Sequence, residues 1–308
     1  MPVMTFPDRV WPTMLTTFAR DGEVDHAALE ELTTWYIDQG SSGLFALCQS
    51  SEIFTLSLRE KLAILATVQR AASGRVPVIA SGHTSWAPSA QVDELQAIAD
   101  LDPAALILIS NRLAAPDEPD AVFLDRLSAI MDSLPPDLPL GFYECPFPYK
   151  RLLSSEILRF MADSQRFSFV KDTCCDIATI RGRLATLKGS SVKLFNANTT
   201  TLLESLDAGA AGYSGVMANF LPDVYDWLCI NHAAHPEIAR EVQSLLTMCS
   251  FTELKGYPAN AKCALQLAGL SLTTVTRSVV PELTATHIKE LEHLAVAASH
   301  LRGLIAAA

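Results

Sequence analysis

Three places in this chain combine residue types that do chemistry. Lys171 closes the apolar run Phe167-Ser168-Phe169-Val170-Lys171, and a strand's period of two puts it on the face of Phe167 and Phe169, with Val170 opposite. If that face is an enclosed interior, the ammonium is desolvated, which favours the neutral amine that attacks a carbonyl. Bringing a lysine from ~10.4 to ~7 withdraws about 4 to 5 kcal/mol from the fold, a cost that goes with function. The plainer reading is a strand-end lysine reaching solvent. Tyr143 ends a second apolar run, on one face with Gly141, and a phenol beside an amine can shuttle protons while a carbinolamine forms and dehydrates. Its plainer reading is a packed aromatic with a satisfied hydroxyl. The third place, Gln49-Ser50-Ser51-Glu52, offers donors to an anion at a strand-to-helix turn, or is simply a polar turn.

To bring these together the chain needs a scaffold. Short β-rich runs alternate with helical patterns, the signature of βα units around a parallel sheet. Eight runs are legible: Val10–Thr16, Gly43–Cys48, Val76–Ser81, Ala105–Ser110, Leu138–Cys145, Phe167–Asp172, Val192–Ala197 and Gly209–Val216. Asp25 is placed to cap a helix burying Leu29, Leu32 and Tyr36 and stopping at Gly40, and Ser57 with Glu60 forms a capping box. After the eighth run only helical patterns follow, broken near Gly256-Tyr257-Pro258 and Gly269. The expectation is a (β/α)₈ barrel over residues 1–220 with a C-terminal helical extension over 221–308. An open doubly wound sheet is the alternative, but no GxGxxG or GxxxxGK[ST] follows the first strand. In a barrel, chemistry sits at the C-terminal strand ends, where Lys171, Tyr143, the 49–52 turn, His83, Asn111-Arg112, Asn196, Asn198 and Ser214 all fall.

Composition narrows the partners. A net charge of -11 with no basic stripe argues against nucleic acid and anionic membranes. The apolar runs are shorter than the ~20 residues of a membrane span, and residues 1–18 do not read as a signal peptide. Seven cysteines without a CxxC pair suit a reducing compartment, so a cytoplasmic location is expected. The vicinal Cys174 and Cys175 read as small hydrophobes rather than a redox device. Clustered metal ligands at strand ends are lacking: only His83 lies near one, and His232 and His235 fall in the extension. Neither a metal nor an organic cofactor is expected.

These positions resemble the dihydrodipicolinate synthase and N-acetylneuraminate lyase family of class I aldolases. Leu15-Thr16-Thr17-Phe18 takes the place of its first-strand motif, and Cys48-Gln49-Ser50-Ser51-Glu52 that of its GTTGE. Tyr143-Glu144-Cys145-Pro146 resembles its YNxP, Val170-Lys171-Asp172 its strand-six lysine, and Gly212–Asn219 with Pro222 its eighth strand. The resemblance implies Lys171 as Schiff-base residue and Tyr143 as acid/base, with Ser50 and Ser51 on the carboxylate of a 2-oxo acid such as pyruvate. Ser214 is counted with them as a substrate contact. It also implies a homo-oligomer, a tetramer, to which the apolar extension would contribute. Departures stand beside it. Cys48 and Gln49 replace a glycine and a hydroxyl residue, and Ile109-Ser110 replace paired tyrosines. Pro148 stands where the synthases carry arginine, leaving Arg151, Lys150 or Arg112 to anchor a second carboxylate, and Glu144 replaces asparagine. The expected function is a Schiff-base lyase or aldolase on pyruvate or a pyruvate-derived 2-oxo acid, though not an efficient dihydrodipicolinate synthase. A sugar-acid dehydratase and a non-catalytic 2-oxo acid sensor are the alternatives.

Overall fold

The structure, a computed structural model, describes residues 6–308. Its strands are β1 (Arg9–Val10), β2 (Leu44–Leu47), β3 (Val78–Ala80), β4 (Ala105–Ile109), β5 (Leu140–Tyr143), β6 (Phe167–Asp172), β7 (Lys193–Asn196) and β8 (Gly212–Tyr213). They pair in parallel in the order β1-β8-β7-β6-β5-β4-β3-β2. The ring closes where Thr13 bridges Phe45, with Met14 N donating to Phe45 O at 3.0 Å and Phe45 N to Pro12 O at 3.1 Å. This is the expected (β/α)₈ barrel. β1 is much shorter than the apolar run Val10–Thr16, because Pro12 has no N–H for the ladder and pairing resumes only at Thr13.

The helices between strands start where the caps said they would. Asp25 Oδ1 accepts from Ala28 N at 3.0 Å and opens His26–Asp38, which buries Leu29, Leu32 and Tyr36. Ser57 and Glu60 form the reciprocal box at the head of Leu58–Ala72. These helices cover the outside of the sheet and bury its outward side chains, such as Val170 and Leu194.

The barrel interior is a separate apolar cluster containing Trp11, Phe45, Ile107, Phe169 and Phe195. Phe169 stacks on Phe195 at 4.6 Å between ring centres, with Trp11 edge-on to both. Each such buried ring contributes about 1.5–3 kcal/mol and together they plug the barrel below the catalytic end. Gly43 is required here: a Cβ on it would lie 2.4 Å from the Trp11 ring.

One expectation about side-chain direction is corrected. Phe167 does not share the interior with Phe169 and Lys171; it stacks on Phe142 at 5.5 Å in the outer layer. The register explains it, since Leu140 pairs with Phe167 but Gly141 with Phe169, an irregularity that inserts Ser168 and flips the alternation. Gly141 permits the close approach, because a Cβ there would meet Phe169 O at 2.8 Å.

After β8 come helices Pro222–Asn231, Pro236–Ser250, Ala259–Leu267 and Ala285–Ala306, with a single turn at Phe251–Leu254. Glu52 ties this extension to the barrel. Buried, with φ +58°, it accepts from Lys262 Nζ at 2.9 Å, Arg277 N at 2.7 Å and Ser278 N at 2.6 Å. Residues 276–280 are thereby held over the C-terminal end of the barrel. Among the described residues no helix is long and apolar enough to cross a membrane.

Candidate active site

Tyr143 and Lys171 are cross-strand partners at the C-terminal ends of β5 and β6, so the backbone ladder itself sets the phenol beside the amine. Lys171 Nζ lies 4.3 Å from the centre of the Tyr143 ring. Lys171 is 5% exposed and its ammonium has no hydrogen-bond or ion-pair partner among the described residues. Burial therefore pushes its pKa down, with Cys48, Cys145 and Glu253 opposing more weakly. Burial likewise pushes the Tyr143 phenol well above its ordinary value, so it stays a proton donor. Its hydroxyl points to Gln49 Oε1 at 3.4 Å, the residue standing where the resemblance places a hydroxyl.

The serines divide. Ser50 lines the cavity above Lys171 and its Oγ donates to Thr13 Oγ1 at 3.1 Å. Ser51 does not line it: its hydroxyl is spent on the Met14 and Ala46 carbonyls, 2.8 Å each, while accepting from Cys48 N at 3.2 Å. Its backbone N–H is used too, on Cys48 O at 3.1 Å. Ser214 is also outside the lining, and its hydroxyl donates to Trp11 O at 2.9 Å. Ser51 and Ser214 thus hold strand ends in place, whereas the sequence expectation put them on substrate.

The cavity has a volume of about 710 Å³, room for a small organic acid and a partner. Lys171, Tyr143, Gln49 and Ser50 share it with Phe54, Phe147, Asn198 and Val216 and with seven residues of the extension that sequence reasoning missed, among them Glu253, Tyr257, Arg277 and Val279. Nothing in the local pattern marked them, because residues 221–308 read as helices broken only near Gly256-Tyr257-Pro258 and Gly269.

Of the three candidate anchors for a second carboxylate, only Lys150 lines the cavity, with Nζ donating to Thr173 O at 2.7 Å. Arg151 is committed to Ala115 O, Glu118 O and Asp120 Oδ1. Arg112 is clamped between Trp86 at 4.0 Å and Phe54 at 5.0 Å. His83 is also committed, donating to Gln91 Oε1 at 3.0 Å and accepting from Ile109 N at 2.6 Å.

Glu144, unexplained by sequence, is fully buried beneath the site. Oε1 accepts from Leu153 N at 2.7 Å and Arg183 Nη2 at 2.7 Å, and Oε2 from Thr173 N at 2.9 Å and Arg183 Nη1 at 3.0 Å. Arg183 also bonds Asp172. Burial pushes the Glu144 carboxyl up, with Arg183 opposing, and the four donors occupy every lone-pair direction of an ionised carboxylate. The cluster locks the segments just beyond Tyr143 and Lys171 to each other.

Known proteins share this fold. The sequence profile of the Dihydrodipicolinate synthetase family matches residues 7–298. A 4-hydroxy-tetrahydrodipicolinate synthase from Acidithiobacillus ferrooxidans is 28% identical over 280 residues, 90% of this chain and 94% of the relative. Among solved structures, the chloride-inhibited dihydrodipicolinate synthase from Acinetobacter baumannii complexed with pyruvate superposes with a TM-score of 0.84 at 23% identity, over 96% of this chain and 99% of that one. YagE, a prophage protein of the same family from E. coli K12 in complex with pyruvate, gives a TM-score of 0.85 at 21% identity, over 95% and 98%. This chain belongs to the dihydrodipicolinate synthetase family, a family of lyases and aldolases.

Proposed function

We propose that this protein is a class I aldolase or lyase that binds pyruvate or a related 2-oxo acid as an imine on Lys171. The observation that carries this is a buried lysine amine with no ion-pair partner among the described residues, lining a substrate-sized cavity against the Tyr143 phenol. A buried cation without a partner is destabilising, and the cost is recovered when the amine is neutral and nucleophilic.

In this mechanism the Lys171 amine attacks the 2-oxo carbon, and Tyr143 protonates the departing oxygen so that water leaves and the imine forms. Loss of a C3 proton then gives an enamine, with the imine nitrogen as electron sink. The Ser50 hydroxyl, turning from Thr13 Oγ1 toward the cavity it lines, is the donor to the 2-oxo acid carboxylate. The same reading expects poor condensation of pyruvate with aspartate semialdehyde, since Gln49 cannot relay a proton as a hydroxyl does and, among the described residues, the one guanidinium lining the cavity, that of Arg277, is paired with Glu60. The protein is expected to act as a homotetramer in the cytoplasm, without metal or organic cofactor. Imine and enamine formation is tested by pyruvate methyl-proton exchange in D₂O, followed by NMR. Exchange catalysed by the native protein and lost in Lys171→Ala supports the proposal; exchange in neither contradicts it.

A further inference from the structure

The Tyr143 hydroxyl faces the side-chain amide of Gln49 and has no hydroxyl hydrogen-bond partner among the described residues through which to pass a proton to a second substrate. A carbon–carbon bond step needs such a transfer: when C3–C4 of a 4-hydroxy-2-oxo acid imine breaks, the C4 hydroxyl must lose its proton as it becomes an aldehyde.

Among the described residues two carboxyl groups line the cavity, and one of them is free. Glu52 is bound to Lys262 and to the Arg277 and Ser278 N–H groups. Glu253, on the turn Phe251–Leu254, lines the same cavity and has no hydrogen-bond or ion-pair partner among the described residues. The other walls are largely apolar: Phe54, Phe147, Val216, Pro258, Val279 and Val280. Both flanking cations already have partners, and Arg277 is charge-paired. Arg277 is committed to Glu60 at 2.7 Å and Gly22 O at 2.9 Å, and Lys150 to Thr173 O.

Resting on the imine reading above, we infer that Glu253 is a second acid–base residue of this site, exchanging a proton with the aldol oxygen of an uncharged, largely apolar aldehyde partner. In cleavage the Glu253 carboxylate takes the C4-hydroxyl proton, the C3–C4 electron pair moves to C3, and enamine and aldehyde result. In synthesis the enamine carbon attacks the aldehyde carbon and the Glu253 carboxylic acid protonates the new alkoxide. No other reactant is needed. Burial pushes the Glu253 carboxyl up to about 7, with Lys171 opposing, so both forms are present near neutral pH, as the two directions require. An aldehyde with its own carboxylate would be repelled by this residue, and Arg277, paired with Glu60, offers it no free charge in exchange.

The test uses the full chain with pyruvate and a set of neutral aldehydes (acetaldehyde, butanal, benzaldehyde) beside aspartate and succinic semialdehydes. Neutral aldehydes are expected to condense at least about tenfold faster than the anionic ones. Glu253→Gln is expected to lower kcat for that condensation about 10²-fold, while pyruvate methyl-proton exchange and borohydride capture stay within about threefold of the native protein. Glu253→Asp should recover part of the rate. Condensation unchanged in Glu253→Gln, a preference for semialdehydes, or no neutral aldehyde reacting overturns the inference and leaves the imine untouched. Absence of pyruvate capture in the native protein overturns the imine reading, and this inference with it.

Discussion

Replacing Glu144 by glutamine keeps the shape of a fully buried side chain and removes its charge. Gln has one acceptor oxygen and one donor nitrogen where four donors now converge: Leu153 N, Thr173 N and two nitrogens of Arg183. Whichever way the amide turns, one backbone N–H is orphaned, at about 1–3 kcal/mol, and a charge-assisted bond to Arg183 worth about 1.5–3 kcal/mol is lost. Part of that returns, because Arg183 keeps Asp172 and a cluster of two carboxylates and one guanidinium becomes a neutral pair. The expected net loss is about 2–4 kcal/mol, read by urea unfolding with tryptophan fluorescence. Pyruvate methyl-proton exchange should also slow about tenfold, since the segments beyond Tyr143 and Lys171 lose their common anchor. Glu144→Gln within about 0.5 kcal/mol of the native protein would refute the claim that four donors hold an ionised carboxylate there.

Burial pushes His83 down to about 4, so between about pH 6.5 and 4 the unfolded chain takes up a proton that the folded one refuses. Stability from this group is complete above that window and falls by about 3 kcal/mol as pH drops through it; a His83 ring titrating near 6.5 by NMR would contradict this. Ser50→Ala should raise the KM for pyruvate about ten- to a hundredfold, as loss of a hydrogen bond to a charged group does. Ser51→Ala should leave KM alone and cost about 1–3 kcal/mol of stability by orphaning Cys48 N–H; the opposite pattern in kinetics and unfolding would return Ser51 to the substrate. Sedimentation at micromolar concentration should show a homotetramer, and a monomer would remove the role expected of the extension.

The barrel was legible because buried parallel strands leave short continuous apolar runs, and all eight run centres fall in or beside the observed ladder. What was missed is non-local. The outward turn of Phe167 follows from a register irregularity that a strict period of two cannot express, although Gly141 on the neighbouring strand was its one local trace. Glu144 and Arg183 look like ordinary charges until the fold brings them together. Ser51 and Ser214 sit in the expected strand-end segments, yet only coordinates show that their hydroxyls face backbone carbonyls. Glu253 and Tyr257 reach the cavity from a segment about 80 residues past Lys171, and no helical period announces such a return.

Borohydride reduction in the presence of pyruvate, followed by intact-mass analysis and peptide mapping, tests the central claim most directly. The expected result is one pyruvate-derived adduct per chain, located on Lys171 and absent from Lys171→Ala; no adduct, or an adduct mapped to Lys150 or Lys262, would contradict it.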